Sequence, residues 1–224
     1  MFGYDEKSIM NKLITPGDII YFSDGPFRSY GSNLKLFISF LKLTGEHEPL
    51  KFSYTGPDKT LIHDMTVEEN ILLSLDNNMI DNKRLGFLKK HMARINNPAL
   101  KQLFQDLEQS CHLHMYPEQV TEYTAKKILI IKALLQPTTY MIFEHQNIDL
   151  DPQTLELFKQ AVQFETSFEN KIAMLSDQRH SCWQHLASKV IELTFNKKLS
   201  FQLCSQSNSD VRELVSTFPK KIAA

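Results

Sequence analysis

Apolar positions in this chain fall into two kinds of run, and their alternation predicts an α/β fold with a mostly parallel sheet. Three short continuous runs, Ile19-Ile20-Tyr21-Phe22, Tyr140-Met141-Ile142-Phe143 and Ile172-Ala173-Met174-Leu175, are of the kind buried on both faces of such a sheet. Between them apolar residues recur at helical spacing. Leu34, Phe37, Ile38 and Leu41 share one face, with Lys35 and Lys42 between them. Lys126 to Leu135 is a strongly apolar helix that stops near Pro137. Asp151-Pro152 opens another, with Leu155, Phe158, Ala161 and Val162 on one side. The first strand, the loop holding Gly25, Pro26 and Gly31, and the helix after it stand in the order in which a phosphate-binding loop occurs.

From Thr66 to Gln119 the pattern is helical and more polar, divided at Asn77-Asn78 and Asn96-Asn97-Pro98. Val190 to Phe195 and Leu199 to Leu203 flank Asn196-Lys197-Lys198 as a hairpin, and Asp210 to Phe218 suggests one last helix. The expected organisation is a single domain over 1–224. Its core runs over about 1–60 and 120–205, a helical subdomain is inserted at about 61–119, and a tail helix lies at about 206–224.

Composition narrows the function classes. The 224 residues suit one sizeable core; 42% are hydrophobic and 23% charged, as in ordinary globular proteins. A net charge of −1 carries no nucleic-acid footprint and no polybasic membrane contact. No apolar run reaches the roughly 18–20 residues needed to span a bilayer. The opening MFGYDEKSIMNK has no basic region followed by an apolar one, so no signal peptide is expected. Cys111, Cys182 and Cys204 are far apart and odd in number, which reads as reduced thiols in a cytosolic protein. Cys111-His112-Leu113-His114 lacks a fourth ligand at zinc spacing, so no metal site is expected there.

The run from Val120 to Pro152, VTEYTAKKILIIKALLQPTTYMIFEHQNIDLDP, resembles the central segment of the ABC transporter ATP-binding subunits, without a gap. Val120, Thr121, Glu122, Tyr123 and Thr124 lie under the family's signature, and Lys132-Ala133-Leu134-Leu135 under its ARALL. The strand ending in Glu144-His145 lies under its Asp-Glu, and Asp149-Leu150-Asp151 under the end of its D-loop. Leu61 to Ile71 is similar to the segment after the family's Q-loop, and Pro16-Gly17-Asp18-Ile19-Ile20 to the turn and strand before its phosphate loop. The resemblance implies a P-loop NTPase, ABC ATPase-like fold with a helical subdomain. Its antiparallel subdomain is expected to be trimmed, because few residues separate the phosphate loop from Leu61.

The positions that would handle phosphate and water are altered together. A loop of the form Gly-x-x-x-x-Gly-Lys-Ser/Thr needs a lysine on the phosphates and a hydroxyl on Mg²⁺. Here the loop runs through Arg28, Ser29, Tyr30, Gly31 and Ser32, with Tyr30 or Gly31 at the lysine position. Arg28 and Ser32 are the residues left there that can meet a phosphate or a metal. Glu144 keeps a carboxylate one methylene longer than the family's aspartate, and His145 stands where a water-orienting glutamate is expected. In the signature, Thr121 takes the serine's place while Glu122 and Tyr123 replace glycines, and a carboxylate at a helix N-terminus repels a phosphate. The switch histidine falls on Ser176 or Asp177, with His180 a few residues on, and no glutamine occurs at the Q-loop position near Gly56-Pro57.

The resemblance with these losses implies no enzyme activity and no cofactor, with neither ATP nor Mg²⁺ expected to bind. The reading is a catalytically inactive ABC ATPase-like subunit, a homo- or heterodimer, working beside a permease, an active ATPase or both. It would be cytoplasmic and peripheral to the inner membrane, touching it only through its partner. Asp64, Met65, Thr66, Glu68, Glu69 and Asn70, with Asp149 and Asp151, are the expected partner-binding residues. The Thr66-Val67-Glu68-Glu69-Asn70 stretch is nearest to ATPases of lipid-transport and cell-division systems. Two alternatives stand beside this reading: a free-standing regulatory or scaffold protein that uses the fold as a binding surface, and a weak residual ATPase built on Arg28, Glu144 and His145.

Overall fold

The computed structural model describes residues 14–23, 51–56, 60–75, 86–144, 150–177, 183, 185–195, 199–205 and 212–215. Seven strands form one sheet: β1 (Ile19–Ser23), β2 (Phe52–Thr55), β3 (Tyr140–Glu144), β4 (Ile172–Asp177), β5 (Lys189–Phe195), β6 (Leu199–Ser205) and β7 (Arg212–Val215). Their spatial order is β2-β3-β4-β1-β5-β6-β7. The first five are parallel, and β6 and β7 add antiparallel to one side. Ile19, Ile20, Tyr21 and Phe22 are all buried, as are Met141, Ile142 and Phe143, because both sheet faces are covered there.

The helices are α1 (Val67–Leu72), α2 (Phe87–Arg94), α3 (Pro98–Ser110), α4 (Glu122–Leu135) and α5 (Pro152–Glu169). Four begin on a side chain that accepts a backbone N–H: Thr66, Asn97, Thr121 and Asp151. Pro98 and Pro152 follow two of these caps, where a missing N–H costs nothing. Helix α5 ends at Asn170, which adopts φ 55°. Helix α4 packs on α1, α3, α5 and β2, which accounts for the buried Ile128, Ile130, Ile131, Ala133 and Leu134 around its second half. Phe158 of α5 stands edge-on to both Phe143 of β3 (4.8 Å) and Trp183 (5.0 Å), filling the space under the sheet.

Three expectations change. Phe52–Thr55, absent from the sequence reading, is a strand whose Ser53 and Thr55 are buried while Phe52 and Tyr54 are half-buried. The tail helix over 210–218 gives way at Arg212–Val215 to β7, which pairs with Ser200–Leu203. The open hydrogen-bonding edge of β6 outweighs the helical spacing of a short segment. The helical stretch to Gln119 is also interrupted. Leu113 and Met115 leave the helix and accept the Glu68 and Val67 amides (2.9 and 2.8 Å), which α1 leaves unpaired in its first turn. The helix expected at Leu34–Leu41 and the break at Asn77-Asn78 lie outside the described residues.

The start of β1 is tied to β5 by one carboxylate. Asp18 accepts from the Thr15 amide and hydroxyl (both 2.7 Å), the Ser188 hydroxyl (3.0 Å) and the Lys189 ammonium. Burial pushes this carboxyl up, but Lys189, Thr15 and Ser188 outweigh it and hold it below the usual carboxylate value.

Candidate functional site

The carboxyl ends of parallel strands are where doubly wound sheets carry ligands. Glu144 closes β3 at that end and is 1% exposed. Tyr54, from the neighbouring β2, donates its hydroxyl to the Glu144 carboxylate. Gly56 makes this reach practicable: a Cβ there would stand 2.7 Å from Tyr54 Cζ, so any other residue would push the ring aside. Ser176 lies opposite Glu144 in the β3–β4 register. Its buried Oγ has no hydrogen-bond partner, and neither has that of Ser53. A hydroxyl at Ser176 has no basic lone pair at neutral pH to take a proton from water. Asp177 ends the same strand. Between β2 and α4 a cavity of about 280 Å³ is lined by Phe52, Tyr54, Thr55, Leu129, Lys132 and Gln136 among others.

The signature segment is built around two helix N-termini. Thr121 caps α4: its hydroxyl accepts the Thr124 amide (3.1 Å) and lies 2.9 Å from the Thr124 hydroxyl. Glu122 points outward and pairs with Lys126 one turn on (3.2 Å). Tyr123 turns the other way. Its hydroxyl meets the Asp151 carboxylate and lies 2.6 Å from the Thr154 hydroxyl, at the first turn of α5. Asp151 uses its other oxygen to cap α5 through the Thr154 amide (2.9 Å). Burial raises its carboxyl, yet the Thr154 amide and hydroxyl and the Gln153 amide hold it below the ordinary value. Lys127 lies over the Tyr123 ring, 5.2 Å from its centroid, and burial pulls its ammonium below the usual lysine value against the pull of Asp106 and Cys111. Val120 precedes the cap and packs against the core.

The expected partner segment divides into surface and interior. Asp64 and Glu69 are exposed, and Met65 and Thr66 are half-buried. Glu69 completes a capping box with Thr66, accepting the Thr66 amide at 2.9 Å while Thr66 Oγ1 accepts the Glu69 amide at 3.2 Å. Glu68 is nearly buried, and Asn70 is wholly so. The Asn70 amide accepts the Ile62 N–H (2.8 Å) and donates to the Ile62, Met65 and Thr66 carbonyls (each 3.0 Å). Asn70 therefore holds the turn before α1 together and presents nothing to a partner. His114 lies 3.9 Å from Glu68, and no cluster of metal-ligating side chains occurs among the described residues.

The structure thus brings Tyr123 and Asp151 together, and places Glu144 beside Ser176. Arg28, Ser29, Tyr30, Gly31, Ser32, His145, Asp149 and His180 lie outside the described residues. Tyr54, Lys127 and Thr154 were not singled out from the sequence, and Gly56 only as the Q-loop position. The alternation of Phe52-Ser53-Tyr54-Thr55 is the signal that marks β2, and with it Tyr54. Glu144 Oε2 already accepts from the Tyr54 hydroxyl, and the Thr121 hydroxyl is committed to its own helix.

No family model matches the chain, and no curated protein matches it in sequence. Solved structures do match in fold. An ATP-binding subunit of an ABC transporter is 14% identical with a TM-score of 0.55, over 80% of this chain and 75% of that one. An inward-facing structure described as a metal-chelate type ABC transporter is 13% identical with a TM-score of 0.56, over 86% and 73%. A dimeric ATP-binding cassette in a post-hydrolysis state, bound to ADP and Pi, is 16% identical with a TM-score of 0.56, over 81% and 83%. The chain has the ABC ATPase-like fold, an α/β core with a mostly parallel sheet and helices packed on it.

Proposed function

We propose that this chain is a non-hydrolysing ABC ATPase-type subunit, a structural or regulatory partner of a permease, of an active ATPase, or of both. The observation that carries the reading is Glu144. It is the acid at the end of β3, and it is enclosed and hydrogen-bonded by Tyr54. A carboxylate that must hold a hydrated cation for turnover needs open coordination sites. The substitutions at Tyr30 or Gly31, His145 and Ser176 point the same way, since each removes a charge or base that phosphoryl transfer uses. On this reading neither ATP nor Mg²⁺ is required. The chain dimerises with itself or an ATPase and lies at the inner face of a membrane through its permease. No described helix is long and apolar enough to cross a membrane itself.

The test has two arms on the purified full-length chain. Titration calorimetry with ATP and Mg²⁺ is expected to give no micromolar binding, and a phosphate-release assay no turnover above background. Purification of the native protein from its own membranes is expected to bring down a permease or an ATPase. Turnover that disappears in His145→Ala would sink the non-hydrolysing half. Recovery of a partner-free soluble monomer would sink the assembly half.

A further inference from the structure

Helices that lie on a sheet through apolar side chains alone slide and rotate by small shear movements, because burial is not directional. Three helices of this chain meet through polar clusters as well. Glu165 of α5 is 5% exposed, and both of its carboxylate oxygens are used. One accepts from the Asn97 amide nitrogen (2.9 Å), and the other pairs with the Lys171 ammonium (2.7 Å). Asn97 is the cap of α3: its oxygen accepts the Leu100 amide (3.0 Å), while its nitrogen also donates to the Ala161 carbonyl of α5 (3.0 Å). Lys171 donates to the Leu134 and Gln136 carbonyls (both 3.4 Å), which close the C-terminal end of α4. One buried carboxylate therefore joins the start of α3 and the end of α4 to α5.

The other end of α4 is tied independently. Tyr123, in its first turn, meets Asp151 and Thr154 at the first turn of α5. Tyr123 and Gln136 are thirteen residues apart, so the two attachments stand roughly 20 Å from each other at 1.5 Å rise per residue. A single attachment would leave α4 free to pivot; two at that separation remove rotation and sliding together. Displacing the Glu165 cluster would also leave a buried charge uncompensated, which an apolar interface never risks.

We infer that α3 and α4 are clamped to α5 at these two clusters, so that the three helices move as one body. This holds whether or not the function proposed above is correct. The clamp is read by native-state hydrogen exchange along a denaturant series, on the full-length protein. In the wild type the slow amides of α3, α4 and α5 are expected to share one opening transition. Two variants separate the clamp from the fold. Asn97→Ser keeps a capping hydroxyl for α3 but loses the donor to Glu165 and Ala161, and Glu165→Gln weakens the pairing with Lys171. Each is expected to raise exchange in α3 roughly ten-fold or more, the size expected for an unpaired buried polar group, while β3 and β4 keep their protection. Independent opening of α3 in the wild type would overturn the inference. So would variants that raise exchange equally in α3 and in the sheet.

Discussion

The Tyr123 hydroxyl spans 28 residues of sequence to meet the Asp151 carboxylate, linking the first turns of α4 and α5. The resemblance expects glycine at Tyr123 and a partner-facing role for Asp151. Here each residue satisfies the other within one chain. Tyr123→Phe is expected to cost about 1 kcal/mol of stability, the usual net worth of one hydrogen bond. Asp151→Ala, which also removes the α5 cap, should cost about 1–3 kcal/mol. Urea unfolding of both single variants and the double variant checks the pair. The double variant is expected to lose less than the sum of the two, because the contact they share is counted twice.

Asp18 and Asp151 both have carboxyls held below the usual aspartate value. A carboxylate whose folded pKa is depressed adds stability that is fully present above the unfolded value and is lost as pH falls through the folded one. Their contribution should be intact at pH 5 and above and fall away below about pH 4. Denaturant midpoints measured from pH 7 down to pH 2.5 are expected to drop most in that lower window. Asp18→Asn should lower the midpoint at pH 7 and flatten this acid-side fall.

Tyr54 and Gly56 act on Glu144 as one unit, since the ring reaches the carboxylate only over a residue without a Cβ. Tyr54→Phe is expected to destabilise by about 1–3 kcal/mol, because it strips a donor from a buried carboxylate. Gly56→Ala should give a loss of similar kind by moving the same hydroxyl. Combining the two should add little to either alone, and thermal unfolding of the three variants decides it. Full additivity would mean that Gly56 matters for some reason other than Tyr54.

Asn70 and Asp64 were expected to do the same job, and the structure separates them. Asn70→Ala strands the Ile62 amide and the Met65 carbonyl, while the Ile62 and Thr66 carbonyls keep backbone partners, and is expected to cost about 1–3 kcal/mol in unfolding experiments. Asp64 is exposed, so Asp64→Ala should lie within about 0.5 kcal/mol of the wild type. If the segment docks on a permease, Asp64→Ala is the variant that should weaken co-purification while the fold stays intact.

What the sequence determined by itself was local. The apolar runs at Ile19, Tyr140 and Ile172 are strands because only continuous burial on both faces explains them. The start at Asp151-Pro152 is a helix cap because the signal is contained in two adjacent residues, and the break at Asn96-Asn97-Pro98 falls between α2 and α3. The order of motifs also carried the resemblance to the ABC ATPases, and the fold agrees with it. Tertiary structure decided what no local pattern contains. Arg212–Val215 is a strand because an open edge of β6 lies beside it. Tyr54 meets Glu144 across 90 residues, and Tyr123 meets Asp151 across 28. Whether those acids face a ligand or another side chain depends on how β2 lies against β3 and α4 against α5. That packing is fixed by burial over the whole core, so it leaves no mark at the positions themselves.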